Sequence, residues 1–193
     1  ILNKHGERLK LRRQNVACIT YTVIAAEEIW ADVGSNPLIH VSTIHSFLWL
    51  MVRSFQSDIQ KWVTNRIGKK LVELLEAATN FGPRTQQRTR EKNQIDISRY
   101  RQQKAQIGQV RSFSYGTGSN YMNGILGHDD IIEMVPQLII EHSLMRNLFV
   151  QQYPFLFVDE SQDTTENVVN ALKAVDDEQG ERFCLGFFGD PMQ

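Results

Sequence analysis

Two short apolar runs near the end of the chain, separated by a helical pattern, limit the possible folds more than any other feature. Residues 155–158 and 183–188 have the length and composition of buried strands. The segment between them carries a possible N-cap and apolar residues at helical spacing: Thr164, Val168, Leu172 and Val175. Such a strand-helix-strand unit is expected to be parallel and right-handed. We therefore expect an α/β sheet that binds ligands beyond the carboxyl ends of its strands.

Both runs end in polar residues that should emerge at this edge. Asp159 and Glu160 directly follow the first run, and a turn beginning at Gly189 presents Asp190 and Gln193 after the second. Two adjacent carboxylates there can share the work of nucleotide hydrolysis, because one can hold Mg²⁺ through water while the other accepts a proton from the attacking water. A simpler alternative also fits, in which the carboxylates favour a helix N-terminus and Asp190 only supports the turn.

Four segments together resemble motifs of superfamily 1 DNA helicases of the UvrD/Rep type. Residues 159–163, Asp-Glu-Ser-Gln-Asp, match the family's motif II, and residues 189–193, Gly-Asp-Pro-Met-Gln, match its motif III. Upstream, residues 20–26, Thr-Tyr-Thr-Val-Ile-Ala-Ala, are similar to motif Ia, and residues 43–47 match the Thr-x-His-Ser-Phe segment. The Ser form of motif II looks closer to defence-associated UvrD-like helicases, such as the helicase partner in Gabija systems.

The resemblance implies a role for each residue of the acidic motifs. Asp159 would hold Mg²⁺ on the nucleotide, and Glu160 would be the general base for water attack. Gln193 matches the glutamine that senses the γ-phosphate. Gln162 and Asp163 match residues that couple hydrolysis to DNA movement, and Asp190 is a further candidate for the nucleotide site.

The resemblance also assigns five residues to single-stranded DNA: Thr20, Tyr21, Thr22, Thr43 and His45. Tyr21 replaces the family's phenylalanine and keeps an aromatic face for stacking on bases. Thr22 fits helix capping equally well, and a histidine such as His45 is often structural. Val23 and Ile24 depart from the family's Asn-Lys, which removes polar groups and a charge from the expected DNA contact.

A phosphate-binding loop of the form Gly-x-x-x-x-Gly-Lys-Ser/Thr is absent from the sequence. The nearest segment contains Gly68 and Lys69 but has Val63 and Lys70 in place of the first glycine and the metal-binding hydroxyl. In the resembled family this loop lies just before motif Ia. We therefore expect a fragment cut at both ends from a larger enzyme and inactive by itself. The alternative is a natural chain that has lost ATP binding.

The middle of the chain is strongly basic although the whole chain has a net charge of −1. Residues 79–118 contain eight Lys or Arg and two Asp or Glu, a net charge of +6, which leaves −7 for the remainder. Weak hydrophobic periodicity here predicts a loosely packed insertion or a partly mobile segment. Clustered cations such as Arg99, Arg101 and Lys104 attract a phosphate backbone. A solvated basic surface is equally compatible, but the resembled helicases carry their 1B subdomain at this point, along the DNA.

Composition is typical of a globular domain, with 41% hydrophobic residues in a chain of 193. No apolar run approaches the roughly 18–20 residues that span a bilayer. Cys18 and Cys184 lie singly within candidate strands, so we expect buried free thiols and a cytoplasmic location.

These observations predict a partial RecA-like P-loop NTPase domain, with a parallel sheet, flanking helices and a basic, mostly helical insertion. Residues 1–78 and 127–193 would form the motor domain, and residues 79–126 the 1B-like insertion. The function implied by the resemblance is that of an ATP-dependent DNA helicase or translocase with ATP and Mg²⁺ as cofactors. Its partners would be single-stranded or partly duplex DNA, the rest of its own chain and possible proteins such as a nuclease. The alternative is a non-catalytic module that binds nucleic acid or a partner.

Overall fold

The computed structural model describes residues 1–189, which form eight longer helices and six strands. In chain order the elements are α1 (Leu2–Arg12), β1 (Val16–Thr20), α2 (Val23–Asp32), β2 (Ile39–Thr43), α3 (Ile44–Val52), α4 (Gln56–Thr79), α5 (Gln87–Gln106), β3 (Ser114–Tyr115), β4 (Ile125–Leu126), α6 (His128–Glu141), α7 (Ser143–Gln152), β5 (Phe155–Val158), α8 (Glu166–Gln179) and β6 (Cys184–Phe187). No helix in this part of the chain has the length and apolar character needed to cross a membrane.

The contacts divide the chain into two units. One consists of Ile1–Val52 together with the chain from Asp129 onward, and the other is Arg53–His128. The predicted insertion, residues 79–126, makes up most of the second unit, and α4 precedes it there. The first unit is therefore built from two segments that are far apart in the sequence.

The first unit contains a four-stranded sheet in the order β2-β1-β5-β6, with every neighbouring pair parallel. Ile19 of β1 lies beside Val158 of β5, which in turn lies beside Phe187 of β6. Parallel strands are normally covered by helices, and the connecting helices of this unit supply that cover. The expected parallel sheet with flanking helices is confirmed.

The core of this unit follows the predicted helical pattern. Val168, Leu172 and Val175 of α8 are all completely buried. The helix begins one residue later than expected, because Thr165 and not Thr164 is its N-cap; a short 3₁₀ turn over Ser161–Asp163 takes up the preceding residues.

Pro136 does not split the helix that contains it. α6 continues through Pro136 to Glu141, and the break before α7 falls at His142. Proline removes one interior hydrogen bond, but Met134, Val135 and Ile139 around it are buried, so packing of the apolar face maintains the helix.

The two cysteines are free, as expected. The sequence also predicted that both would be buried, and neither is fully buried. Cys18 is half-buried in the central strand β1, whereas Cys184 is exposed at the start of β6. Cys184 lies at the beginning of the last strand in the sheet order, where fewer neighbours cover a side chain.

In the second unit α4 packs against α5. The short strands β3 and β4 follow α5 and form a parallel pair. The insertion, which was predicted to be mostly helical and loosely packed, contains α5, a regular helix of 20 residues. Only Asn93 and Ile97 of α5 are buried. Such a narrow buried stripe explains the weak hydrophobic periodicity of this part of the sequence.

Candidate functional site

The carboxyl ends of β1, β5 and β6 are tied together by backbone hydrogen bonds. The Asp159 N–H donates to the Ile19 carbonyl at 2.8 Å, and the Phe188 N–H donates to the Val158 carbonyl at 2.7 Å. The Ser161 N–H then donates to the Phe188 carbonyl at 2.9 Å. The acidic segment after β5 is therefore held from both neighbouring strands, at the edge where α/β sheets bind ligands.

Glu160 has an unusual backbone conformation within this segment. Its φ of 50° and ψ of 45° lie in the left-handed region, which costs a residue with a side chain about 1–2 kcal/mol. The hydrogen bonds of its two neighbours, Asp159 and Ser161, fix this conformation. The Thr20 hydroxyl donates to Glu160 Oε2 at 3.5 Å, and Thr20 is only 1% exposed. Thr20 was predicted to contact DNA. Its burial and its bond to Glu160 instead favour a role in positioning the Glu160 side chain.

Asp159 lies close enough to β1 to act on the Cys18 thiol. Burial raises the pKa of Cys18, and the negative charge of Asp159 raises this pKa further. The available donors are carboxylate and hydroxyl oxygens, the ligand type that Mg²⁺ prefers. Across residues 1–189 no three His, Cys, Asp or Glu side chains converge on one point. A Mg²⁺ ion at Asp159 would therefore need water and nucleotide oxygens to complete its coordination.

The 3₁₀ turn after Glu160 presents Gln162 and Asp163, both exposed, beside the chain at Gly189. A Cβ on Gly189 would clash with Gln162 Oε1 and lie 2.9 Å from Ser161 Oγ. The 3₁₀ turn after β5 therefore lies close to the chain that follows β6. The predictions for Asp190 and Gln193 lie outside the described residues.

Tyr21 and His45 lie at the same edge, just beyond the ends of β1 and β2. Their rings are edge to face with centroids 5.9 Å apart, and Tyr21 is 45% exposed. The Thr22 hydroxyl accepts a hydrogen bond from the Ala25 N–H, so it caps α2. Thr43 in turn donates to Ser46 Oγ at 3.1 Å. The fold therefore brings Tyr21 and His45 together, while the Thr22 and Thr43 hydroxyls are engaged in local hydrogen bonds.

An apolar surface on α2 was not foreseen from the sequence. Val23 and Ile24 are 63% and 70% exposed, and Trp30 further along α2 is 39% exposed. None of the residues of α2 is buried. A cleft of about 510 Å³ lies between α2 and β2 and is lined mainly by apolar groups. The departure at Val23 and Ile24 from the helicase pattern was the only sequence signal for this surface.

The predicted basic residues of α5 lie in the second unit and are exposed. The side chains of Arg101 and Lys104, three residues apart, share one side of the helix. Arg99 points elsewhere on the helix and forms an ion pair with Asp96 at 2.9 Å. Arg90, by contrast, donates to the Gly82 carbonyl at 2.7 Å and supports the turn before α5. Arg101 and Lys104 are therefore the better candidates for phosphate contacts.

The fold and the site together define an α/β domain whose parallel sheet, flanked by helices, carries paired carboxylates at its carboxyl edge. No family model matches the chain. The chain is similar to the Gabija protein GajB of Bacillus cereus (strain HuB5-5), with 22% identity over 258 residues. The match covers 100% of the chain and 38% of the length of that protein.

Proposed function

We propose that the chain is part of a UvrD-like superfamily 1 DNA helicase or translocase, with a RecA-like motor domain that couples ATP hydrolysis to movement on single-stranded DNA. The observation that carries this proposal is the placement of Asp159 and Glu160 at the carboxyl edge of the parallel sheet, with Thr20 donating to Glu160. Similarity to the Gabija protein GajB supports a role in antiviral defence. A cytoplasmic location belongs to the same proposal.

In this function Glu160 accepts a proton from the water that attacks the γ-phosphorus of ATP. The water oxygen bonds to phosphorus, the bond to the bridging oxygen of ADP breaks, and the proton passes to the carboxylate. Thr20 holds the Glu160 carboxylate in position. The left-handed backbone of Glu160 turns the chain after β5 and so sets the direction of the Glu160 side chain. Mg²⁺, bound beside Asp159 with the nucleotide, would neutralise charge on the phosphates.

The DNA-binding part of the proposal rests on two surfaces, one in each unit of the chain. Tyr21 and His45 offer an aromatic pair at the carboxyl edge of the sheet, with Tyr21 exposed and His45 partly exposed. Such rings can stack on unpaired bases. Arg101 and Lys104 of α5 offer adjacent exposed cations, which would neutralise backbone phosphates.

The test uses the complete protein and measures phosphate release from ATP in the presence of single-stranded DNA. Glu160→Gln keeps the size of the side chain but removes the base, so turnover should fall by about 100-fold or more while nucleotide binding persists. Glu166→Gln, in the first turn of α8, is the matched control and should leave turnover unchanged. Normal turnover in Glu160→Gln would remove Glu160 as the base.

A second candidate function is a module that keeps this fold without turnover and docks a protein partner, such as a nuclease. The specific observation in its favour is the exposed apolar surface of Val23, Ile24 and Trp30. The full gene discriminates between the two candidates. A glycine-lysine phosphate loop before motif Ia and an arginine-bearing second motor domain after motif III support the motor, whereas absence of both supports the docking module.

A further inference from the structure

A second cleft, of about 410 Å³, lies at the opposite edge of the same sheet. Gln14, Pro154 and Arg182 line it, and each lies one or two residues before the start of its strand, β1, β5 and β6 respectively. Because these strands are parallel, their amino ends share the edge that faces away from Asp159 and Glu160. The cleft is therefore separate from the proposed nucleotide site.

Three arginines line this cleft: Arg8, Arg12 and Arg182. Among residues 1–189 none of them forms an ion pair with a carboxylate. Glu181 is the one acidic residue of the lining, so three positive charges and one negative charge give it a formal net charge of +2. Arginines that remain unpaired around a concave surface are suited to an anionic ligand, since each guanidinium can donate two parallel hydrogen bonds to an oxyanion.

A purely structural explanation accounts for only one of these arginines. Arg12 lies in the last turn of α1, where a cation is stabilised by the helix dipole. Arg8 lies one turn earlier, outside the range of that effect. Arg182 ends a 3₁₀ helix of three residues, which has little dipole. The nearby carboxylate of Glu178 is already paired with Arg146, so it does not compete for the arginines of the cleft.

The lining also contains a buried amide with an unsatisfied acceptor. Gln179 is 5% exposed, and its Nε2 donates to Asn147 Oδ1 at 3.3 Å. Among the described residues no donor reaches Gln179 Oε1. A buried acceptor without a donor is destabilising. Asn147 is exposed and can shift, so a ligand that brings an O–H or N–H group to Gln179 would gain by satisfying this atom.

We propose that this cleft binds a phosphate group, carried by a small organic phosphate whose body supplies hydrogen-bond donors. Arg8 and Arg182 hold the phosphate oxygens, Arg12 adds to the positive field, and the amides of Gln179 and Asn147 contact the rest of the ligand. A volume of about 410 Å³ lies within the usual range for small-molecule sites. The site does not depend on the proposed motor activity.

The test measures binding of inorganic phosphate and of adenosine monophosphate to the protein by calorimetry, in buffer without magnesium. Replacement of both Arg8 and Arg182 by Gln should weaken binding by about tenfold or more. Arg13→Gln is the matched control, because Arg13 is exposed and adjacent in sequence but does not line the cleft. Asp159→Asn should retain binding, which separates this cleft from the nucleotide site. Thermal unfolding without ligand checks that each variant is folded.

A short single-stranded oligonucleotide identifies the source of the phosphate. Weak oligonucleotide binding that is unchanged in the double variant, together with the loss of adenosine monophosphate binding, supports a small phosphorylated ligand. Oligonucleotide binding that also depends on Arg8 and Arg182 supports the same phosphate site with nucleic acid as its source. Equal affinity of the double variant and the wild type for both small probes overturns the proposal, as does the absence of binding to the wild type.

Discussion

Thr20 and Glu160 lie at the ends of neighbouring parallel strands and are joined by a hydrogen bond of 3.5 Å from the Thr20 hydroxyl to Glu160 Oε2. The bond connects residues that are 140 positions apart in the sequence. It links the end of β1 to the carboxylate after β5, so a change at Thr20 is expected to alter the position of the Glu160 side chain.

The left-handed backbone at Glu160 predicts a difference in stability between two variants that both lack the carboxylate. Glu160→Gly should be more stable than Glu160→Ala by about 1 kcal/mol in the free energy of unfolding, because glycine adopts a positive φ without steric cost. Urea unfolding of both variants measures the difference. Equal stability, or a more stable alanine variant, would show that the backbone relaxes from this conformation.

The basic face of α5 predicts the salt dependence of DNA binding. Neutralising Arg99, Arg101 and Lys104 to Gln should weaken binding to single-stranded DNA and lower the slope of log K against log salt by up to about 2. The variant that changes only Arg101 and Lys104 should account for most of this effect, since Arg99 is paired with Asp96.

The control for the variant at Arg101 and Lys104 removes the same number of charges, two, outside α5. Lys4→Gln combined with Arg13→Gln should leave the slope close to that of the wild type. An unchanged slope in the α5 variants would return this surface to a solvated basic face without a ligand.

Gln56 predicts a local contribution to the stability of the second unit. Its Nε2 donates to the Arg53 carbonyl at 2.7 Å, and its Oε1 accepts from the Phe113 N–H at 2.6 Å. Gln56→Ala should lower the free energy of unfolding by about 1–3 kcal/mol, since the partly buried backbone of Phe113 loses its partner. Gln102→Ala, on the exposed side of α5, should change it by less than about 0.5 kcal/mol. Equal effects of the two variants would contradict this role.

His40 predicts a loss of stability in mild acid. Burial lowers the pKa of His40, whose ring packs against Phe47 and Tyr153. The unfolded chain therefore takes up this proton first as the pH falls below about 6.5, and the free energy of unfolding decreases through that range. At higher pH the His40 ring is neutral in both the folded and the unfolded chain, so it does not make the free energy of unfolding depend on pH.

The measurement for His40 is urea unfolding at about pH 7.5 and about pH 5.5. The loss between these values should be smaller in His40→Gln than in the wild type. His5, whose pKa is also lowered, is present in both proteins, so the comparison isolates His40. An identical loss in both proteins would show that the His40 ring is accessible to protons in the folded state.

The sheet and its acidic edge could be predicted because their signals are local. An apolar run such as residues 155–158 encodes burial directly, and the polar residue that follows it marks the strand end. The parallel arrangement follows from the connecting helix alone. Asp159 and Glu160 could therefore be placed at the carboxyl edge before any coordinates were known, whereas their roles as metal ligand and base remain predictions.

Features that depend on contacts between distant segments could not be predicted. The backbone of Glu160 is set by hydrogen bonds from its neighbours to Ile19 of β1 and to Phe188, the residue after β6. The cleft lined by Arg8, Arg12 and Arg182 combines side chains from α1, α7, the last residue of α8 and the turn after it, with no regular spacing in the sequence. The bounds of α5 could not be predicted either, because only Asn93 and Ile97 along its length are buried, which leaves no clear apolar stripe in the sequence.

The division of the chain has a consequence for the order in which its parts form during synthesis. Val16 of β1 pairs with Phe155 of β5, so the central sheet waits for a segment that leaves the ribosome much later. Arg53–His128 is continuous in sequence and contains its own partners. Local contacts form faster than distant ones. The basic helical unit is thus expected to fold first, leaving the nascent β1 edge to be protected from aggregation until β5 emerges.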